Sequence, residues 1–295
     1  MVTLHVKPIT YPAGSGNAHS TAFFIYSQLF PILCCVFGLM SLVTGYVIAV
    51  LNNHEEAWFS MISEGGSLPP ESCIFGILLN FAAFFWLVTC FSLHYHLLDH
   101  LYWHCGSRSK LRFLFYFMLF IGILSGLGIA VVADFQLSNL RIVHNNGAMV
   151  AFLAGLLYCW CYAVVCVKLG IQWVPKWLII LRIIVVVFVT VCVVMYILCF
   201  QFSIFAKKWP DGTRAQKPER PATGIIRLQP CHPYYDNYII ACVSEWLLAV
   251  GYFIVIASLS IELGNFELHT LISSQNMEDS SLEDLSITYV TARSQ

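Results

Sequence analysis

Charge is what this sequence lacks most. Only 11% of its 295 residues are Asp, Glu, Lys or Arg, where a soluble domain carries about a quarter. That deficit excludes an ordinary soluble domain. The formal net charge of −1 gives no overall reason to expect a nucleic-acid partner. No Asn-x-Ser/Thr sequon occurs, so glycosylation cannot mark a side of a membrane. Nucleophile-elbow, P-loop, HExxH and paired CxxC patterns are all missing, which disfavours catalysis. The polar, Pro/Gly-interrupted start has no short apolar run followed by a cleavage site. The first hydrophobic segment is therefore expected to target the protein and stay.

What is present is hydrocarbon: 59% of the residues are hydrophobic. Six runs are each long enough to cross about 30 Å of bilayer core. They predict spans at 29–51, 73–93, 113–133, 147–167, 178–200 and 239–261. The expected fold is all-α, a polytopic membrane protein with six transmembrane helices in one bundle. Its parts are a cytosolic N-terminal segment 1–28, a membrane domain 29–261 with a long lumenal loop 201–238, and a disordered acidic cytosolic tail 262–295. Pro31 would kink the first span if that span began as early as Ala22. Trp103, Trp173, Trp177, Trp209, Tyr234, Tyr235 and Tyr238 cluster at span ends, as an interfacial aromatic belt would.

Orientation follows the positive residues of short loops. Arg108, Lys110 and Arg112 lie in the second loop; Lys168 and Lys176 lie in the fourth, with Arg182 just inside the next span. The first loop has no Lys or Arg, and the third has only Arg141. This places both termini in the cytosol. The long fifth loop disagrees, with Lys207, Lys208, Arg214, Lys217, Arg220 and Arg227. It reads as a partner-binding or lid segment if lumenal, as an anionic-lipid contact if cytosolic, or as a solvated linker.

Most of the twelve cysteines lie inside spans and read as packing residues. Cys73 and Cys231 fall on one side and are candidates for a disulfide. Cys105 reads as a free surface thiol or a palmitoylation site. His96, His100 and His104 form a stripe if their helix continues. However, the outer two are eight residues apart, about 12 Å along the axis, too far for one zinc ion. No metal site and no cofactor are expected.

The candidate polar cluster is Asp134, Gln136, His144 and Glu245. The turn "VVADFQLSNLRIVHNNG" concentrates polar groups that either face a cavity or cap two helix ends, with Asp134 pairing Arg141. Asn80 reads as a helix cross-link. Glu245, in "IACVSEWLLAV", is an acid inside a span and so a functional hypothesis by default. It is expected about 9 Å into the helix, bonded to the turn between the third and fourth spans. In the tail, Glu267, Leu271 and Ile272 have the form of an acidic dileucine sorting signal. The serines before Glu283 and Asp284 are candidate phosphorylation sites.

Four stretches carry a resemblance: "ISEGGSLPPESCIFGILLNFAA", "LSGLGIAVVADFQ", "VHNNGAMVAFLAGLLY" and "SEWLLAVGYF". In order and spacing they resemble the DRAM family, the damage-regulated autophagy modulators, from about Phe30 to Leu268. The motif positions carried over are Pro70, Glu71, Cys73, Gly76, Asn80, Asp134, Phe135, Gln136, His144, Gly147, Glu245 and Trp246. The resemblance implies six helices, both termini cytosolic, a lysosomal or endosomal membrane, and promotion of autophagy without a defined reaction. Expected partners are membrane lipids, proteins at the first and fifth loops and the tail, and sorting adaptors at the tail. The wider superfamily leaves two alternatives: GPI-anchor lipid remodelling at the Golgi, as an enzyme or its cofactor, and a plasma-membrane scaffold for phosphoinositide signalling.

Overall fold

The computed structural model describes residues 20–105, 111–169, 174–218, 225, 227–264 and 267–273. Six helices in it are long and apolar enough to cross a membrane, matching the expected count and fold class. They are α1 (Leu29–Leu51), α2 (Glu71–Cys105), α3 (Leu111–Asp134), α4 (Arg141–Leu169), α5 (Lys176–Phe202) and α6 (Tyr235–Ser258); a further turn, α7 (Ser260–Leu263), follows. α1 coincides with its predicted span. Pro31 does not kink it, because it sits in the first turn, where a missing N–H costs nothing. α2 to α5 run past their predicted spans by one to a dozen residues, since helical hydrogen bonding continues after hydropathy falls, whereas α6 starts four residues early and ends at Ser258, three short of the predicted 261.

Chain neighbours pack in sequence from α1 to α6, and α6 returns to α1, closing a ring. Large apolar side chains point outward as well as inward: Ile77, Phe84, Phe120, Ile142, Ile184 and Val191 are all exposed. That is the pattern of a bundle whose outer solvent is lipid. Small residues let backbones meet. A Cβ on Gly128 would lie 2.6 Å from Ala151 N and 2.8 Å from Gly147 O, so α3 and α4 close up only because position 128 is glycine.

Outside the ring, β1 (Ser20–Tyr26) pairs antiparallel with β2 (Glu267–Ser273), Ser20 opposite Ser273 and Tyr26 opposite Glu267. This corrects the expectation of a structureless tail from residue 262. Residues 262–263 complete α7, and the dileucine-like stretch is a paired strand. The ribbon brings the flanks of both termini together, as an even number of spans requires. The remaining tail, with its serines, lies outside the described residues, as do Arg108, Lys110, Trp173 and Arg220 and the side chains of Trp103, His104 and Cys105.

His94, His96 and His100 are buried in the bundle, and His94 Nδ1 lies 3.1 Å from the Phe115 carbonyl. Among the described residues no three His, Cys, Asp or Glu groups could hold a metal ion. Cys73 and Cys231 are free, exposed thiols.

Candidate functional site

Loop 1 (residues 52–70) joins α1 to α2, and despite its polar composition its stretch 60–67 is almost wholly buried. Asn53 and Phe59 take left-handed backbone angles, φ 58° and 47°, that bend it back over the bundle. It runs along one side of α6. Tyr238 OH donates to Glu64 Oε2 at 2.6 Å, Glu245 Oε2 accepts the Ile62 N–H at 2.9 Å, and Trp246 Nε1 donates to the Ser60 carbonyl at 3.0 Å. Ser63 Oγ donates more weakly to Glu245 Oε1, at 3.3 Å.

Loop 5 (residues 203–234) folds over the same place. Its start is a small hairpin in which Ala215 N donates to the Lys207 carbonyl and Trp209 N to the Thr213 carbonyl. Asp211 and Gly212 make the turn, Gly212 with φ 85°. The Thr213 hydroxyl and N–H donate to the Asp211 carboxylate and hold its pKa below the ordinary value. Ala206, Ala215 and Tyr234 form the hairpin's own core. Tyr234 and Tyr238 therefore pack inside this cap instead of joining an aromatic belt, while Trp177 and Trp209 remain exposed.

Lys217 closes the cap by pairing with Glu64 Oε1, its ammonium also 5.2 Å from the Tyr238 ring centroid. Burial alone would push the Glu64 pKa up. The Lys217 ammonium and the hydrogen bonds from Tyr238 and the Met61 backbone outweigh it, and the carboxyl stays below its usual range. Ser60 Oγ lies 3.0 Å from Glu55 Oε2 and 3.3 Å from Glu64 Oε2, tying a third acid to the network. Lys207 meets Asp236 at the rim. Two of the loop-5 cations, Lys217 and Lys207, are thus matched to acids of loop 1 and α6.

The predicted cluster of Asp134, Gln136, His144 and Glu245 does not assemble. Glu245 bonds loop 1, not the α3–α4 turn, because loop 1 fills the groove beside α6. Asp134 accepts from Asn80 Nδ2 at 2.6 Å instead of pairing Arg141. Gln136 Nε2 donates to Ser72 Oγ at 2.8 Å, and Ser138 Oγ to the Ser67 carbonyl at 2.5 Å. His144 Nδ1 lies 2.6 Å from the Phe135 carbonyl. These bonds clamp the α3–α4 turn onto the end of loop 1 and the start of α2. Loops 1, 3 and 5 therefore share one face of the bundle.

Motif position Glu71 is fully buried in the first turn of α2, a favourable place for an acid. Its carboxylate lies 2.5 Å from His54 Nδ1 and accepts from Asn52 Nδ2 at 3.3 Å. Pro70 and Cys73 flank it on the exposed side. Sequence reasoning missed Glu55, Ser60, Glu64 and Lys217. The available signal was complementarity, an acidic loop 1 without Lys or Arg opposite a basic loop 5.

Beneath the cap, between five of the six helices, lies a cavity of about 140 Å³. Ile62, Ser63 and Glu245 form part of its wall, and the rest is almost wholly apolar.

At the opposite face Arg182 of α5 and Glu262 of α7 form a buried pair, only 3% and 1% exposed. Both guanidinium Nη groups reach Glu262, Nε donates to Ser258 Oγ at 2.7 Å, and Nη2 also reaches the Ser258 carbonyl at 2.7 Å. Arg182, read above as a topology marker, is a structural lock.

A family model described as the Frag1/DRAM/Sfk1/Cwh43P N-terminal domain matches residues 26–266. The chain is 26% identical to DNA damage-regulated autophagy modulator protein 1 of Homo sapiens over 223 residues, covering 75% of this chain and 84% of that protein. It is 24% identical to DNA damage-regulated autophagy modulator protein 2 of Mus musculus over 225 residues, covering 76% and 78%. It is 35% identical to the modulator of macroautophagy TMEM150B of Homo sapiens over 137 residues, covering 46% and 55%. No solved structure matches. With the family model spanning all six helices and the cap between them, the chain belongs to the Frag1/DRAM/Sfk1/Cwh43P family.

Proposed function

We propose that this protein is a multi-pass protein of lysosomal or endosomal membranes that modulates autophagy through partner or lipid contacts and not by catalysis. The relatives named as autophagy modulators support the process. The observation that carries the mode of action is the cap. Loops 1 and 5 form one ordered surface held to α6 by Glu64, Lys217, Tyr238, Glu245 and Trp246. Exposed Trp58, Phe59 and Trp209 on these loops supply apolar anchors for a protein or bilayer surface.

In this reading loops 1, 3 and 5 are lumenal, both termini are cytosolic, and Glu267, Leu271 and Ile272 are read by sorting adaptors. The test is imaging of the full chain with organelle markers alongside autophagic flux in knockout cells. Lysosomal staining that is lost with Leu271→Ala plus Ile272→Ala, and flux that falls in the knockout, are expected. Staining confined to plasma membrane or Golgi, or a changed GPI-anchor or lipid profile with unchanged flux, would overturn it.

A further inference from the structure

The cavity under the cap has an unusual wall. Its volume, about 140 Å³, is close to that of an engineered apolar cavity of about 150 Å³ in another protein that stays dry and binds benzene. Nearly every polar group on the wall is already committed. Trp86 Nε1 donates to the Gly122 carbonyl at 3.0 Å, Ser125 Oγ to the Ala151 carbonyl at 3.1 Å, and Tyr252 OH to the Phe152 carbonyl at 2.6 Å.

Glu245 differs. A carboxylate offers about four acceptor positions, and this one accepts one short bond from Ile62 N–H and one long bond from Ser63 Oγ. Among the described residues no cation lines the cavity, and the nearby Lys217 ammonium is engaged by Glu64. The space therefore offers hydrocarbon on nearly all sides and acceptor capacity at one end.

We propose that the cavity is a binding site for a small apolar group carrying a hydrogen-bond-donating head, an amine or a hydroxyl, with Glu245 as the acceptor. An acid of the same shape fits worse, since no cation among the described residues of the wall would balance a second carboxyl beside Glu245. The same chemistry is offered by the head-proximal end of a single-chain membrane amphiphile or by a small soluble amine. The proposal goes beyond the functional reading and does not depend on it, because it concerns the cavity whichever organelle holds the protein.

The test uses the full-length chain in phosphatidylcholine nanodiscs and three diazirine-bearing octyl probes with an amine, an alcohol or a carboxylic acid at the head. Crosslinked residues are mapped by mass spectrometry. The amine and alcohol are expected to label cavity positions such as Leu79 and Ala249, the acid about tenfold less. Glu245→Gln should weaken the amine preference, and Ala249→Phe, which fills the space, should abolish cavity labelling. Competition on the wild-type chain needs no variant to fold. Loss of amine labelling with excess benzylamine assigns a soluble ligand, and its persistence assigns a membrane one; both uphold the site. Equal labelling by all three probes, or crosslinks only on outward-facing residues such as Ile77 and Phe84, would overturn it.

Discussion

The two ends of this bundle each bury carboxylates, and they do so in opposite ways. At one end Arg182 and Glu262 form a balanced pair: one cation, one anion, and donors spent on Glu262 and Ser258. It is built from α5, the end of α6 and α7, without a loop residue. At the other end Glu64, Glu71 and Glu245 are all buried; among the described residues Lys217 meets Glu64 and His54 meets Glu71. That end is built from loops far apart in sequence, borders a cavity, and keeps acceptor capacity in reserve on Glu245. The difference separates a lock from a site. A closed charge balance holds helices together; an excess of acceptors beside apolar space is equipped to meet something else.

Breaking the lock should have the largest effect. Glu262→Ala leaves a guanidinium buried without its anion and should cost about 3–5 kcal/mol, seen as a steep fall in thermal stability of the purified protein. At the cap, Lys217→Met strands Glu64 in a buried setting. The expected loss is smaller, about 1–3 kcal/mol, and it should be local. Protease cleavage within 203–218 is expected to rise well before the helices unfold. An equal loss from both substitutions would erase the distinction between the two ends.

Acid sharpens the comparison further. The Glu64 pKa lies below its unfolded value, so its contribution is complete above the unfolded pKa, about 4.3, and is lost as pH falls through the lower folded pKa. Hydrogen-exchange protection of the Glu64–Lys217 contact, corrected for the intrinsic pH dependence of exchange, should therefore lose the Glu64 contribution only in acid below that value. The smallest effect is expected for Glu245→Gln. The amide oxygen can still accept the Ile62 N–H, so the loss should stay near about 1 kcal/mol with trafficking intact.

The membrane architecture could be read from the chain because each span announces itself by hydropathy alone. α1 needed nothing but its own residues 29–51. Resemblance of the "SEWLLAVGYF" and "LPPESC" stretches also pointed to Glu245, Trp246 and Glu71 as positions of interest. What stayed hidden were partners. Glu245 meets Ile62 across 183 residues of chain, and Lys217 meets Glu64 across 153. No local period encodes such contacts. α6 begins at Tyr235 and not near 239, because Tyr235, Asp236 and Asn237 are polar enough to look like loop. They are helical because Asn237 bonds the Cys199 carbonyl at 3.0 Å and Tyr238 bonds Glu64. The burial of His96 and His100 stayed hidden because it comes from the length of α2, which hydropathy underestimates.

The central claim is that loops 1 and 5 close into one cap through Glu64 and Lys217. A double-mutant cycle with Glu64→Gln, Lys217→Met and the double variant, read by hydrogen exchange of residues 55–67, tests it most directly. The account predicts a coupling of about 1–3 kcal/mol, with Lys217→Met costing little once Glu64 is Gln. Strictly additive effects, within about 0.5 kcal/mol, would mean that the two loops do not hold each other, and would contradict it.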